Sequence, residues 1–208
     1  SRTAAGLVFA PTGTIGLGEF MKVLAVLAHP RRDSLTGAVL DSFIDGLAEA
    51  GHEAEIADLH AEKFDPVLWP EDEPDWNDGN KRYSDAVLAE QARIERNDAI
   101  ALVFPVWWWS MPAMLKGWID RVWNNGWAYG DRNLKGKRGL ALALAASSAE
   151  AYAKRGYDRA IDIEIRLGVL EYCGIENPAL HLLYDSTTDQ TTGARIIERA
   201  RQIGREFR

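Results

Sequence analysis

The chain has 208 residues, the size of one domain with room for a short appended arm. Its hydrophobic fraction of 47% is that of an ordinary globular protein, and no apolar run approaches the ~20 residues of a bilayer-spanning helix. The formal net charge of −7 argues against a non-specific grip on nucleic acid or anionic membrane, while the single cysteine, Cys173, excludes an intramolecular disulfide and fits a reducing compartment such as the cytoplasm.

Residues 1–20 are rich in glycine and small side chains, and Met21-Lys22 looks like the natural entry to the first strand. We read 1–20 as a leader or N-terminal arm and 21–208 as the domain. The segment lacks the continuous apolar stretch of a secretory signal. Its Gly13-Thr-Ile-Gly16-Leu-Gly18 has the wrong spacing and context for a dinucleotide fingerprint.

Lys22–Ala28 is apolar and of strand length, so it predicts a buried strand. His29-Pro30-Arg31-Arg32-Asp33-Ser34-Leu35-Thr36 follows, then a helix with Val39, Leu40, Phe43, Ile44 and Leu47 on its core side, ended by Gly51. A strand-to-helix turn of this kind presents free N–H groups and a positive dipole end to an anion. Ser34 and Thr36 add hydroxyls, His29 a ring donor, and Arg31 or Arg32 positive charge. The competing reading is that Asp33 or Ser34 simply caps the helix.

Glu53–Ala57 predicts a short second strand. The long connection 58–83 is acidic and carries Trp69 and Trp76; a loop of this length is usually functional or interfacial, although its charges read most simply as a solvated face. Ser84–Asn97 predicts a helix in which Val87, Gln91 and Ile94 share a side. A glutamine there is either a paired core residue or one that reaches a ligand.

The strand Ala99–Phe104 runs into Pro105, then Val106, Trp107, Trp108, Trp109, Ser110, Met111 and Pro112. From Pro112, placed as the first helical residue, Leu115, Trp118, Ile119 and Val122 mark one face of a helix. If the tryptophans are extended, Trp107 and Trp109 point one way and Trp108 the other. They cannot all face one interior, so a planar cofactor, a partner subunit or both should meet them.

The loop 124–137 carries Trp127-Ala-Tyr129-Gly130. Gly139–Ala146 predicts a fourth strand, ending in Ala145-Ala146-Ser147-Ser148, with Glu150, Tyr152 and Tyr157 beyond it. Asp158–Cys173 reads as a long helix, Pro178–Tyr184 as a fifth strand and Asp189–Phe207 as a final helix. The alternation predicts an α/β fold: a doubly wound, five-stranded parallel sheet with helices on both faces and the flavodoxin-like order 2-1-3-4-5.

Phe104-Pro105, the aromatic turn, and Pro112, Ala113, Leu115, Lys116, Gly117, Trp118, Arg121 and Val122 together resemble the flavin-dependent NAD(P)H quinone reductases, the DT-diaphorase type with bacterial relatives in potassium efflux and drug resistance. The resemblance runs from Met21 to the C-terminus. It implies that His29, Ser34, Leu35 and Thr36 occupy the flavin phosphate site, that Pro105, Val106, Trp107, Trp108 and Trp109 lie along the isoalloxazine, and that Gln91 contacts the cofactor. It implies that Ser147 and Ser148 approach the pyrimidine edge, where relatives carry glycines whose backbone freedom suits close approach. Tyr152 then stands beside the reacting ring and Tyr157 where relatives often have histidine, both as catalytic candidates; simple packing is the other reading of each. The Trp127–Gly130 loop falls near the rim.

The activity so implied is hydride transfer from NAD(P)H through bound flavin to a quinone-like acceptor, in ping-pong order, by a cytoplasmic homodimer. FAD is the implied cofactor, with FMN the alternative. A different class stays open: an ancillary flavodoxin-like module regulating a partner such as a membrane transporter, docking through the acidic stretch 71–79 and its tryptophans. Other chemistries lack their residues. Cys173 has no thiol partner, His29, His52, His60 and His181 lack metal-ligand spacing, and there is no Gly-x-Ser-x-Gly elbow or phosphate loop of the Walker type.

Overall fold

The computed structural model describes residues 19–130 and 133–208. The arm expected at 1–20 lies outside the described residues up to position 18. Strands β1 (Lys22–Leu27), β2 (Glu53–Asp58), β3 (Ala99–Pro105), β4 (Arg138–Leu144) and β5 (Ala179–Leu183) form one sheet in the order β2-β1-β3-β4-β5, all pairs parallel. The connections are α1 (Leu35–Glu49), α2 (Asp85–Glu95), α3 (Ala113–Val122), α4 (Ala149–Arg155) and α5 (Tyr157–Ile161), with α6 (Gln190–Glu206) after the last strand. This is the flavodoxin-like arrangement expected from the alternation of apolar runs.

Successive strand residues serve opposite faces. Val23, Ala25, Leu27, Val103, Leu142 and Leu144 pack under α1 and α6, against Val39, Leu40, Phe43, Leu47, Ile196, Ala200 and Ile203. Leu24, Val26, Ile100, Leu102, Phe104, Ala141 and Ala143 pack on the other side, with Ile94, Leu115, Trp118, Val122 and Ile165. Helices α1 and α6 touch backbone to backbone. A Cβ at Gly46 would stand 2.1 Å from the Arg201 carbonyl oxygen, and one at Gly204 2.2 Å from that of Phe43, so only glycine permits this approach.

The register brings Leu27 beside Val103, Pro105 beside Leu144 and Leu144 beside Leu183. The turns after β1, β3, β4 and β5 therefore open onto one carboxyl edge. Pro105 belongs to β3 rather than stopping it. Val106 N–H makes the 2.8 Å bond to Leu144, while Pro105 looks toward β1, which has already ended, so its missing donor costs little.

Two further expectations change. Pro112 is the cap preceding α3, not its first residue. The long helix expected over 158–173 is α5 followed by a π-helical segment, Asp162–Glu171, closed by a Tyr172 N–H bond of 3.0 Å to the Leu167 carbonyl five residues back. Such segments are rare and recur at functional sites.

The acidic stretch is not wholly solvated. Asp72 is fully buried. It accepts from Arg121 at 2.7 Å and from Ser84 through both N–H at 2.8 Å and Oγ at 2.9 Å, and Ser84 in turn caps α2. The long connection is thereby fastened to two helices.

Edge strand β2 is held differently. Glu55 accepts from Arg93 at 3.0 Å, from Asn97 at 2.9 Å and from Arg96. The Arg96 hydrogen bond, over the opposing cost of burial and with help from Asn97 and Arg93, draws its carboxyl down to about 2. The folded state thus prefers the ionised form. This stabilisation is complete above the ordinary value of 4.5 and is lost as pH falls from there through about 2. We expect Glu55→Gln to lower stability at neutral pH by about 1 kcal/mol, because water screens a partly exposed group. It should also flatten the acid limb of a Tm-versus-pH curve; an unchanged limb would show that the cluster does not drive acid unfolding.

Candidate functional site

The turn after β1 is built around the start of α1. His29 Nδ1 lies 2.8 Å from the Arg31 carbonyl oxygen and 3.1 Å from the Arg31 nitrogen, which anchors the ring inside the turn. Ser34 is the N-cap, its Oγ accepting from Gly37 N–H at 3.2 Å. Asp33, offered as a cap by the sequence, is exposed and does not take that position. A capping hydroxyl accepts with its oxygen and keeps its hydrogen, so Ser34 remains able to donate to an anion. Leu35 opens the helix, Thr36 is 3% exposed, and the first turn of α1 carries no acidic residue to oppose a phosphate. Gly37 is required here, since a Cβ would lie 2.0 Å from the Arg32 carbonyl oxygen. Arg32 is turned back onto Asp41 of α1, whose hydrogen bond raises the guanidinium pKa. Of the two arginines, the exposed Arg31 is left to add charge at this edge.

The turn after β3 departs from the extended reading. Trp107 and Ser110 exchange two backbone hydrogen bonds of 3.1 Å, with Trp108 and Trp109 between them at φ of +53° and +58°. Positive φ at both central residues is the type I′ pattern that glycine and asparagine favour. For two tryptophans it costs roughly 1–2 kcal/mol each, and such strain collects at functional sites. The strain is spent on exposure. Trp108 is 89% exposed, Trp107 44% and Trp109 42%. With Trp107 N–H used in the turn, those of Trp108 and Trp109 have no backbone partner among the described residues. The turn is flanked by His29, 6.3 Å from the Trp107 ring, and by Tyr157, 4.4 Å from the Trp109 ring at 33°. The Ser110 hydroxyl donates to Glu164 at 2.7 Å.

The loop after β4 completes the edge. None of residues 145–148 has positive φ, so serine at 147 and 148 introduces no strain. Ser148 caps α4 by accepting from Ala151 N–H at 3.3 Å. The Ala145 and Ser147 carbonyls accept from Ser186 and Asp185 at 3.0 and 3.2 Å. Tyr152 is 5% exposed, edge-on to Tyr157 at 6.0 Å and to Tyr184 at 5.4 Å. Burial, and then Tyr184, push its phenol pKa upward; burial, and then Asp158, do the same for Tyr184. Both are neutral O–H donors at physiological pH. Beyond β5 lies a cavity of about 490 Å³ lined by Glu150, Tyr184, Arg195 and Arg199, among others.

His29, Ser34, Leu35, Thr36, Pro105 to Trp109, Ser147, Ser148, Tyr152 and Tyr157 thus share one sheet edge. Gln91 does not join them. It is 5% exposed and donates to the Val122 carbonyl at 2.9 Å, the paired core glutamine of the two readings. The Trp127 loop also lies elsewhere. Trp127 donates to Glu95 at 2.8 Å, at the end of α2 that precedes β3, so within one chain it sits at the amino edge and not the site's rim. Sequence reading missed Glu164, Tyr184 and Arg195. Tyr184 had a usable signal as the residue that ends a strand at the ligand edge; Glu164, on an irregular helix, had none. Cys173, 5% exposed and raised to about 11 by burial, is an inert core thiol.

A family model described as a flavodoxin-like fold matches residues 21–206. The chain is 40% identical over 157 residues, 75% of its length and 80% of the relative's, to the uncharacterized NAD(P)H oxidoreductase YcaK of Escherichia coli (strain K12). It is 31% identical over 179 residues, 74% of this chain and 78% of the other, to the ribosyldihydronicotinamide dehydrogenase [quinone] of Homo sapiens. Among solved structures, an NAD(P)H:quinone oxidoreductase from Methanothermobacter marburgensis aligns with a TM-score of 0.87 at 31% identity, covering 90% of this chain and 96% of that one.

Proposed function

The chain belongs to the family of the flavodoxin-like fold, and from that premise we propose that it is a flavin-dependent NAD(P)H oxidoreductase that reduces quinone-like acceptors. The observation that carries this reading is the exposed tryptophan turn, held in a strained conformation between an acid-free helix start and a buried neutral phenol. Ordinary packing has no use for indoles so displayed, whereas a planar ring with a phosphate tail uses all three features. Relatives named as NAD(P)H oxidoreductase and quinone dehydrogenase support the same conclusion.

A flavin held here would supply two-electron chemistry between NAD(P)H and the acceptor. The α1 N-terminus, with Ser34, Thr36 and His29, holds the phosphate. The indoles of Trp107 to Trp109 would wall the ring, and the N–H groups of Trp108 and Trp109, without backbone partners among the described residues, would be free to donate to it. Tyr152 holds a proton at its phenol oxygen, where it can donate to charge developing on the ring or the acceptor. Nucleotide and acceptor use the same aromatic wall in turn, which gives ping-pong kinetics.

We take the flavin to be FAD. The cavity beyond β5, where Arg195 and Arg199 stand with Glu150 and Asp185, offers room and guanidinium donors for an adenosine phosphate. We further propose a homodimer, supported by exposed Trp69, Trp76, Ile163 and Tyr172, and a cytoplasmic location, supported by the free thiol of Cys173. No helix among the described residues is long and apolar enough to cross a membrane.

The test is an absorption spectrum of purified protein before and after anaerobic NADH or NADPH, with chromatography of the released cofactor. Yellow protein bleached by either nucleotide, releasing FAD, is the expected result. FMN in the chromatogram would replace FAD in the reading. Protein that stays colourless after incubation with both flavins would overturn the flavin assignment and favour an ancillary binding module.

A further inference from the structure

The tryptophan turn is fastened at a point the proposed chemistry does not use. Ser110, the last residue of the turn, donates its hydroxyl to Glu164 Oε1 at 2.7 Å, across 54 positions of sequence. Glu164 lies in the π-helical segment. Its neighbour Arg166 is committed to Asp162 at 2.5 Å, and among the described residues Glu164 forms no ion pair of its own. A half-buried carboxylate whose polar partner is one hydroxyl makes a charge-assisted bond of the stronger kind. Val106 N–H, bonded to the Leu144 carbonyl, fixes the entry of the turn on the sheet. The Trp107–Ser110 backbone pair lies within the turn, and the Trp109–Tyr157 and His29–Trp107 contacts are ring contacts that permit sliding. The hydroxyl–carboxylate bond is the directional side-chain contact at the far end of the turn.

We propose that Glu164 is a positioning residue. Acting through the Ser110 hydroxyl, it fixes the far end of the turn against the π-helical segment and so sets where the indole wall stands. Its consequence for catalysis rests on the flavin reading above; its consequence for the turn does not. A hydride donor and its acceptor must be held about 3–3.5 Å apart and aligned, and a displacement of about 1 Å can cost roughly 10²-fold, so a wall free to shift would slow transfer while leaving the fold intact.

The experiment is a double-mutant cycle on Ser110→Ala and Glu164→Ala, with Glu164→Gln as the conservative variant, read first on flavin-stripped protein by near-UV circular dichroism. The Trp108 and Trp109 rings stand 6.1 Å apart at 73°, close enough for their relative placement to govern that signal. Each single substitution should diminish the aromatic bands, the double variant should add nothing further, and Glu164→Gln, whose amide oxygen still accepts, should restore most of the signal. In the flavin-loaded protein the alanine variants should lose about tenfold in kcat/KM, recovered in Glu164→Gln.

Additive losses in the double variant, or a Ser110→Ala spectrum identical to the parent, would overturn the proposal. If Glu164→Ala fails to fold, the Ser110→Ala spectrum alone decides. The expected spectral loss in a protein that takes up no flavin would keep the clamp and remove the flavin reading. Flavin uptake with spectra indifferent to every substitution would remove the clamp alone.

Discussion

Asp72→Ala should lower the unfolding free energy by about 3–5 kcal/mol, the cost of removing one partner from a buried ion pair. Arg121 is 4% exposed and Asp72 fully buried, so neither gains water when the other is lost. The arginine Cζ also sits 5.4 Å from the Phe64 ring, and its other arm donates to the Asp65 carbonyl, so the guanidinium cannot swing out without dismantling the connection over 58–83. With the carboxylate gone, the buried cation keeps only the more distant carboxylate of half-exposed Asp65, at 3.8 Å, and the cap of α2 at Ser84 loses its anchor. Burial acts to raise the Asp72 pKa, but the hydrogen bonds from Arg121 and Ser84 more than offset it, and the net shift is downward. The pair therefore contributes fully above the ordinary aspartate value of 3.8 and fails as pH drops through the lower folded-state value. Urea unfolding at neutral pH is the measurement. Glu71→Ala, on the exposed neighbour, should stay within about 0.5 kcal/mol. Equal, small effects for both would show that the burial of Asp72 does not hold in solution.

Tyr152→Phe should slow one half-reaction of the proposed enzyme by about 10²-fold, the lower range for a positioned general acid, with little change in stability. The phenylalanine ring keeps the edge contacts to Tyr157 and Tyr184, so the substitution removes the proton and little else. Because burial pushes the phenol pKa upward, the donor is present throughout the neutral range, and no loss of its protonated form is expected between pH 6 and 9, roughly, given an unperturbed value near 10. Stopped-flow absorbance separates reduction by NAD(P)H from reoxidation by a quinone. Unchanged rates in both would leave Tyr152 as a packing residue.

These outcomes bear on the alternative of a transporter-associated module. That reading used the acidic stretch 71–79 as a docking face, but the structure takes Asp72 inward as a structural keystone. Trp76 remains 73% exposed and stands 5.8 Å from Tyr129, in an aromatic group remote from the acid-free helix start.

Periodicity along the chain was enough to read five strands alternating with helices, and the flavodoxin-like order chosen for that alternation is the one observed. Lys22–Leu27, Ala99–Pro105 and Arg138–Leu144 are apolar at nearly every position, as strands covered on both faces must be, and Leu115, Trp118, Ile119 and Val122 repeat at the helical step. His29, Ser34 and Thr36 were legible because chain order alone places them where β1 meets α1. What depended on distant partners was not. Nothing local distinguishes buried Asp72 from exposed Glu71, or core Gln91 from a ligand-facing one; each is decided by a residue tens of positions away, Arg121 in one case and Val122 in the other. Local preference also argues against two tryptophans at positive φ, and that conformation exists because backbone bonds, a tyrosine face and a carboxylate on a π-helical segment converge on the turn from three parts of the chain. Side-chain period reports which face is buried, while the environment of a polar group or a strained turn belongs to the contacts that only the folded chain brings together.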